Sequence, residues 1–141
     1  MGTRQQRQRQ EELWVATAAL ARPASHPFYA RLNRLLEECE FDEFVERLCE
    51  RFYAKTLGRP GLAPGIYFGL LMVGYFEGID SERGIAWRAS DSLSIRSFVR
   101  IALDESVPDH STISRTRRLM DLETHQAVFQ WVLECWLKRS C

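Results

Sequence analysis

Apolar residues recur along this chain at helical spacing. In residues 26–38 they fall at Phe28, Leu32, Leu35 and Leu36, and then at Phe41, Phe44, Val45, Leu48, Cys49 and Phe52. Each set marks one face of a helix, and in the second the acids lie opposite. The two stretches form one broken helix or two helices meeting near Glu40. An earlier apolar-periodic segment, 13–21, ends at Arg22-Pro23. Residues 57–61 read LGRPG, where proline presets φ and glycine accepts a positive φ, so a turn is expected. Pro64 suits the first turn of the following helix, where no donor is needed. That helix, running to about Glu77, carries IYFGLLMVGYF, apolar on nearly every side, and should be the central core element.

After Gly78, Asp80 or Ser81 can cap a helix over 82–89. Another is expected over 93–102, with Leu93, Ile95, Phe98, Val99 and Ile101 packing inward. A loop at 104–108 precedes the stretch PDHSTISRTRRLMD at 108–121. The last helix spans 122–138, with Asp121 as N-cap and Val128, Phe129, Val132, Leu133 and Trp136 facing the core. No segment alternates at period two, and no internal repeat is present. The expected fold is all-α, a compact multi-helix domain containing a helix-turn-helix-like unit at about 80–120. Residues 1–12, rich in Gln and Arg, read as a flexible tail, and 13–139 as a single domain.

Composition adds bounds. The chain has 141 residues, about one domain, and 45% hydrophobic residues with four tryptophans argue against global disorder. Nineteen basic residues balance nineteen acidic ones, but unevenly. From Glu37 to Glu50 there are seven acids and one arginine; from Arg83 to Arg118 there are seven arginines and four acids. A neutral total can therefore hide a basic face, which is what an anionic partner feels. The four cysteines form no CxxC and no zinc-finger spacing, so reduced thiols in a cytoplasmic protein are expected. The longest uncharged run, 61–76, is too short for a bilayer span, so no membrane partner is expected.

The stretch PDHSTISRTRRLMD carries the candidate chemistry. Pro108 precedes the helix, and Asp109 or Ser111 can accept from its first amides. At about 100° per residue, Ile113, Thr116 and Met120 fall on the core side. Ser111, Ser114, Arg115 and Arg118 fall on the opposite side, with Arg117 at the border, its stem able to pack while its head reaches outward. Small hydroxyls at a helix start, followed by arginines, suit a helix that enters the major groove. Arginine can bond a guanine edge bidentately or grip a phosphate. The candidate DNA-binding residues are Ser111, Thr112, Ser114, Arg115, Arg117 and Arg118, with Arg83 and Arg88 on the supporting helix. An ordinary solvated helix with arginines for solubility is the alternative reading of the same pattern.

Four pieces stand in a recognisable order: GRPGLAP at 58–64, GYFEGIDSERGIAWRASDSL at 74–93, PDHSTISRTRRL at 108–119 and DLETHQAVFQWVLE at 121–134. In these the chain resembles the N-terminal, InsH-like domain of bacterial insertion-sequence transposases, which precedes a DDE-type catalytic domain. The resemblance implies a helical domain that binds the terminal inverted repeats of its element as double-stranded DNA. It also implies a catalytic domain in which three acidic residues hold divalent metal ions. The sequence stops at Cys141, where that portion would begin, so no catalytic activity, cofactor or small-molecule substrate is expected of these residues.

The acids here do not suggest a substitute: Asp80, Asp91, Asp104 and Asp109 sit at expected caps and loops, and those of 37–50 on a solvated face. His110 beside Asp109 and Ser111 lacks the strand and elbow of a hydrolase nucleophile; capping or DNA contact suits it better. His26 and His125 have no ligand spacing to a partner. Arg59-Pro60-Gly61 fits a structural turn, since Leu57 stands where a minor-groove hook would want a flanking arginine. Arg4, Arg7 and Arg9 could track phosphates, although Glu11 and Glu12 nearly offset them. Two other roles remain open: an interaction module, pairing with itself or with full-length transposase and so inhibiting transposition, or a decayed transposase fragment.

Overall fold

The computed structural model describes residues 26–53 and 62–139. It contains seven helices: α1 (Pro27–Glu38), α2 (Phe41–Tyr53), α3 (Pro64–Glu77), α4 (Glu82–Asp91), α5 (Leu93–Val99), α6 (His110–Leu119) and α7 (Leu122–Arg139). The fold is all-α, with no strand among the described residues. The tail at 1–12, the helix expected at 13–21 and the turn at 57–61 lie outside the described residues.

The first two apolar stretches are two helices, because Glu40 between them takes a left-handed conformation (φ 57°). That reversal turns Leu32, Leu35 and Leu36 of α1 and Phe41, Val45 and Cys49 of α2 into one core. α3 begins at Pro64 and buries Tyr67, Phe68, Leu70, Met72 and Val73 beneath α2, α4 and α5. Two of its glycines are contact points. A Cβ at Gly69 would lie 3.2 Å from Val99 of α5, and one at Gly74 would lie 2.7 Å from the Ile85 side chain of α4. Gly78 ends the helix at φ 69°, a conformation open to glycine at little cost. The all-round burial expected of α3 fails in its last turn, where Tyr75 is 76% and Phe76 43% exposed. At that end Phe76 meets the edge of α1 through the Phe28 ring at 4.9 Å, and the Tyr75 ring stands 6.5 Å from Phe129 of α7.

Ser81 caps α4 by accepting from the Gly84 amide at 3.0 Å, and α4 runs two residues beyond its expected end. Ser92 then ends α4 and caps α5, accepting from the Ile95 amide at 3.2 Å. α5 is shorter than the pattern implied. Arg100 turns left-handed (φ 62°), while the Arg96 guanidinium donates to the carbonyls of Ala102 (3.1 Å) and Glu105 (2.5 Å). The Ala102 carbonyl also accepts from the Glu105 amide in a turn at 3.0 Å, and Ile101 is buried just beyond the helix. Leu93, expected inside, is half-exposed because it lies opposite the face made by Ile95, Phe98 and Val99.

α7 packs on α1 and α2 through Thr124, Val128, Val132 and Cys135. Leu133, expected inward, is 53% exposed, since one step beyond Val132 carries it off the buried face. No described helix is long and apolar enough to cross a membrane.

Candidate nucleic-acid interface

α4, α5 and α6 occupy the stretch in which a helix-turn-helix-like unit is expected, and α4 packs against the other two. The link from α5 to α6 spans residues 100–109, longer than the three- to four-residue turn usual in such units. Arg96 braces this link from within, and its Nε is buried without a hydrogen-bond partner.

α6 starts at a strong cap. Asp109 is extended (φ −76°, ψ 169°) and accepts from both the amide and the hydroxyl of Thr112, each at 2.8 Å. These two bonds hold the exposed Asp109 carboxyl below the usual carboxylate range. Asp109, not Ser111, is therefore the cap, and Ser111 is left exposed on the first turn. Ile113 is fully buried beneath the helix. Thr116 is also buried, its hydroxyl returned to the Thr112 carbonyl at 2.9 Å. Met120, just past the helix, meets the Cys49 thiol at 3.3 Å and so ties this end of α6 to α2.

The candidate residues divide into two groups. Arg115 and Arg118 are exposed on the outer side of α6 and form no ion pair among the described residues. Their contacts are local and long: Arg115 to the Thr112 hydroxyl at 3.5 Å and Arg118 to the Ser114 carbonyl at 3.4 Å. Ser111 and Ser114 share this side. Arg83, at the start of α4, also forms no ion pair and lies 3.5 Å from His110 Nε2, which brings it to the start of α6. The others are engaged. Arg117 pairs with Glu82 of α4 at 3.1 Å. Arg88 pairs with Glu77 at 2.6 Å, and Glu77 also accepts from the Tyr29 hydroxyl at 2.5 Å. Thr112 is half-buried, with its hydroxyl given to the cap.

The arrangement is thus an arginine-bearing helix laid across a packed support, with Arg117 paired across the α4–α6 seam, Arg88 paired back to α3, and Arg115 and Arg118 outside. Residues 18–119 match the family model of the transposase domain (DUF772). The chain belongs to this family. No curated protein and no solved structure matches it.

In this transposase domain the match ends with the last residue of α6, and α7 lies beyond it. A DDE-type catalytic domain needs acidic residues gathered around metal ions. Among the described residues no three His, Cys, Asp or Glu side chains come together in that way. Several acids have other tasks: Glu77 and Glu82 anchor arginines, Asp42 and Glu37 both meet Arg100, and Asp109 and Asp121 cap helices. The described carboxylates therefore do not fit a metal site. Burial pushes the Glu77 carboxyl up, but the hydrogen bonds from Tyr29 and Arg88 outweigh it and hold the group below its usual range.

Three supporting features escaped the sequence reading. His125, read only as having no ligand spacing to a partner, bridges α7 to α3. Its Nδ1 lies 2.8 Å from the Asp121 carbonyl, which can only accept, so that nitrogen carries the proton. Nε2 then accepts from the buried Tyr67 hydroxyl at 2.7 Å. Burial raises the Tyr67 pKa, which keeps this donor protonated. Arg96 is the second feature, and no local pattern marks an arginine whose partners are carbonyls six to nine residues on. The third is Trp87, which is 67% exposed one turn after Arg83 on α4. An isolated tryptophan in a mostly polar helix could have signalled it.

Proposed function

We propose that this transposase domain binds double-stranded DNA through the outer side of α6 and recognises the terminal inverted repeats of its element. In this reading it acts as a positioning module, with strand cleavage supplied by a separate catalytic domain. The observation that carries the reading is the unspent charge of Arg83, Arg115 and Arg118 around the start and outer side of α6, where small serines leave room for a groove wall. Arg88, Arg100 and Arg117, by contrast, are neutralised in place. Arg115 and Arg118 are placed to meet base edges or phosphates, Ser111 and Ser114 to donate to phosphate, and Arg83 to grip the backbone from α4. Trp87 offers an aromatic face on the same supporting helix.

The test is fluorescence anisotropy with a duplex carrying the inverted repeat and a scrambled duplex, over a salt series. Tighter binding to the repeat is expected, with affinity falling as salt rises because phosphate contacts release counterions. Equal affinity for both duplexes would remove sequence recognition from the proposal, and no binding to either would remove the proposal itself.

A further inference from the structure

We propose that Cys39 and Cys135 are an oxidisable pair, a modification site at which a peroxide converts two thiols into a disulfide between the α1–α2 corner and α7. Cys39 follows the last residue of α1, beside the reversal at Glu40, and is half-buried. Cys135 lies on the inner face of α7 and is 8% exposed. The two side chains meet, although they come from opposite ends of the described domain. Both line one cleft of about 290 Å³ with Trp131, Glu134 and Lys138, so the pair is open to small solutes. Arg139 lines the same cleft and donates to the Cys39 sulfur as well as to Glu38. The DNA-binding reading uses neither thiol.

Surroundings divide the roles. Cys49 is the contrast: fully buried, 3.3 Å from the Met120 sulfur and away from the cleft. Reactive thiols are partly exposed and stand beside cations, and Cys39 has both attributes. Burial and the neighbouring Cys39 push the Cys135 thiol up to about 12, so it stays protonated until it resolves the bond. Cys39, as thiolate, attacks one peroxide oxygen. An S–O bond forms, the O–O bond breaks, and the departing hydroxide takes up the proton that the thiol released. The Cys135 sulfur then attacks the resulting sulfenic acid at Cys39. The S–S bond forms, the S–O bond breaks, and hydroxide leaves with the Cys135 proton as a second water. Two electrons pass from the thiols to the peroxide.

The bond closes a loop of about a hundred residues, which restricts the unfolded chain, and it pins α7 to the corner between α1 and α2. The oxidised chain should therefore melt about 5–15 °C higher than the reduced one, and a thiol reductant should reverse the shift. The outer side of α6 takes no part. The pairing does not depend on that side binding DNA, and it is measured without DNA.

In the test, the full chain is freshly reduced, treated with hydrogen peroxide, and its remaining thiols are counted after denaturation. The count should fall from four to two, and peptide mapping without reductant should join Cys39 to Cys135 within one chain. Cys135→Ala should leave a sulfenic acid at Cys39 that dimedone traps, and Cys39→Ser should yield no adduct. Cys141→Ser should form the same bond as the wild type. Circular dichroism melts of the reduced variants report their folding, and the wild-type map decides the case even where Cys135→Ala melts early. Four thiols surviving the peroxide overturn the proposal, as does a bond to Cys49, to Cys141 or between chains. A mapped Cys39–Cys135 bond with no rise in melting temperature overturns the pinning of α7.

Discussion

Two regions of the domain use the same residue type to opposite ends. Along the seam where α1 and α2 meet α5 and α7, arginine closes the structure. Arg100 is paired with Asp42 and lies 3.6 Å from Glu37, Arg139 pairs with Glu38 at 2.8 Å, and Arg51 pairs with Asp121 at 3.3 Å. The acidic run of 37–50 is thus not simply a solvated face, because Glu37, Glu38 and Asp42 supply counter-charges to two arginines, Arg100 and Arg139. Around α6, Arg83, Arg115 and Arg118 have no such acids. Part of the difference shows along the chain, where acids crowd 37–50 and arginines 83–118, but the pairing itself is one of tertiary placement. Whether an arginine's charge is available to a partner depends on which acids the fold brings beside it.

The comparison breaks most severely if the support under α6 is removed. Ile113 is fully buried, and Ile113→Ala should cost about 2–5 kcal/mol of stability in urea unfolding. It should also weaken DNA binding for all sequences alike, because the helix carrying the arginines loses its seat. Arg115→Ala and Arg118→Ala should do the reverse. Each should leave stability within about 0.5 kcal/mol, as exposed positions do, yet cost about 1–3 kcal/mol of binding if it reads a base. A base reader relaxes preference at one position. A phosphate contact weakens all sequences and lowers the salt slope by about one. If Arg88→Ala matched these losses in binding, the division between spent and unspent arginines would be wrong.

The helical face of α6 was legible because periodicity reports the burial of Ile113 and Thr116, and the side opposite follows by geometry. The border position of Arg117 was legible for the same reason. Its partner Glu82 was not, since it lies thirty-five residues earlier and meets Arg117 only once α4 has packed on α6. Pro64, Ser81 and Asp121 could be read as helix-start residues because such positions depend on neighbours in sequence. The early end of α5 could not, because it depends on Arg96 capturing later carbonyls. Leu133 was misplaced since a helix apolar on more than one side gives periodicity no single direction to choose. The His125–Tyr67 bond joins residues 58 apart and leaves no local trace.

A smaller effect sharpens the seam side of the comparison. The Arg117–Glu82 pair is half-open, with side-chain exposures of 50% and 26%, so solvent screens much of its attraction. Arg117→Ala should cost no more than about 1 kcal/mol. A double-mutant cycle with Glu82→Gln isolates the coupling. Because this pair fixes α4 to α6, its loss should reduce DNA affinity less than loss of Arg115 or Arg118. A larger loss for Arg117 would place that residue in the interface itself.

The smallest expected effect is a pH dependence at the start of α6. Hydrogen bonds from the Thr112 amide and hydroxyl hold the Asp109 carboxyl below its ordinary value, and those from the Thr124 hydroxyl and amide do the same for Asp121. A carboxyl whose folded pKa is depressed adds stability above its unfolded value, near 3.9 for aspartate, and loses it as pH falls through the folded value. Both caps should therefore be fully effective at neutral pH and weaken only in acid, below about pH 4. Asp109→Asn keeps an oxygen acceptor for the amide but cannot titrate. Its melting temperature should fall less steeply on acidification than that of the wild type. The two curves should converge once Asp109 is protonated. Parallel curves across that window would mean that the Thr112 bonds do not distinguish the folded from the unfolded carboxylate, and that the α6 cap rests on geometry alone.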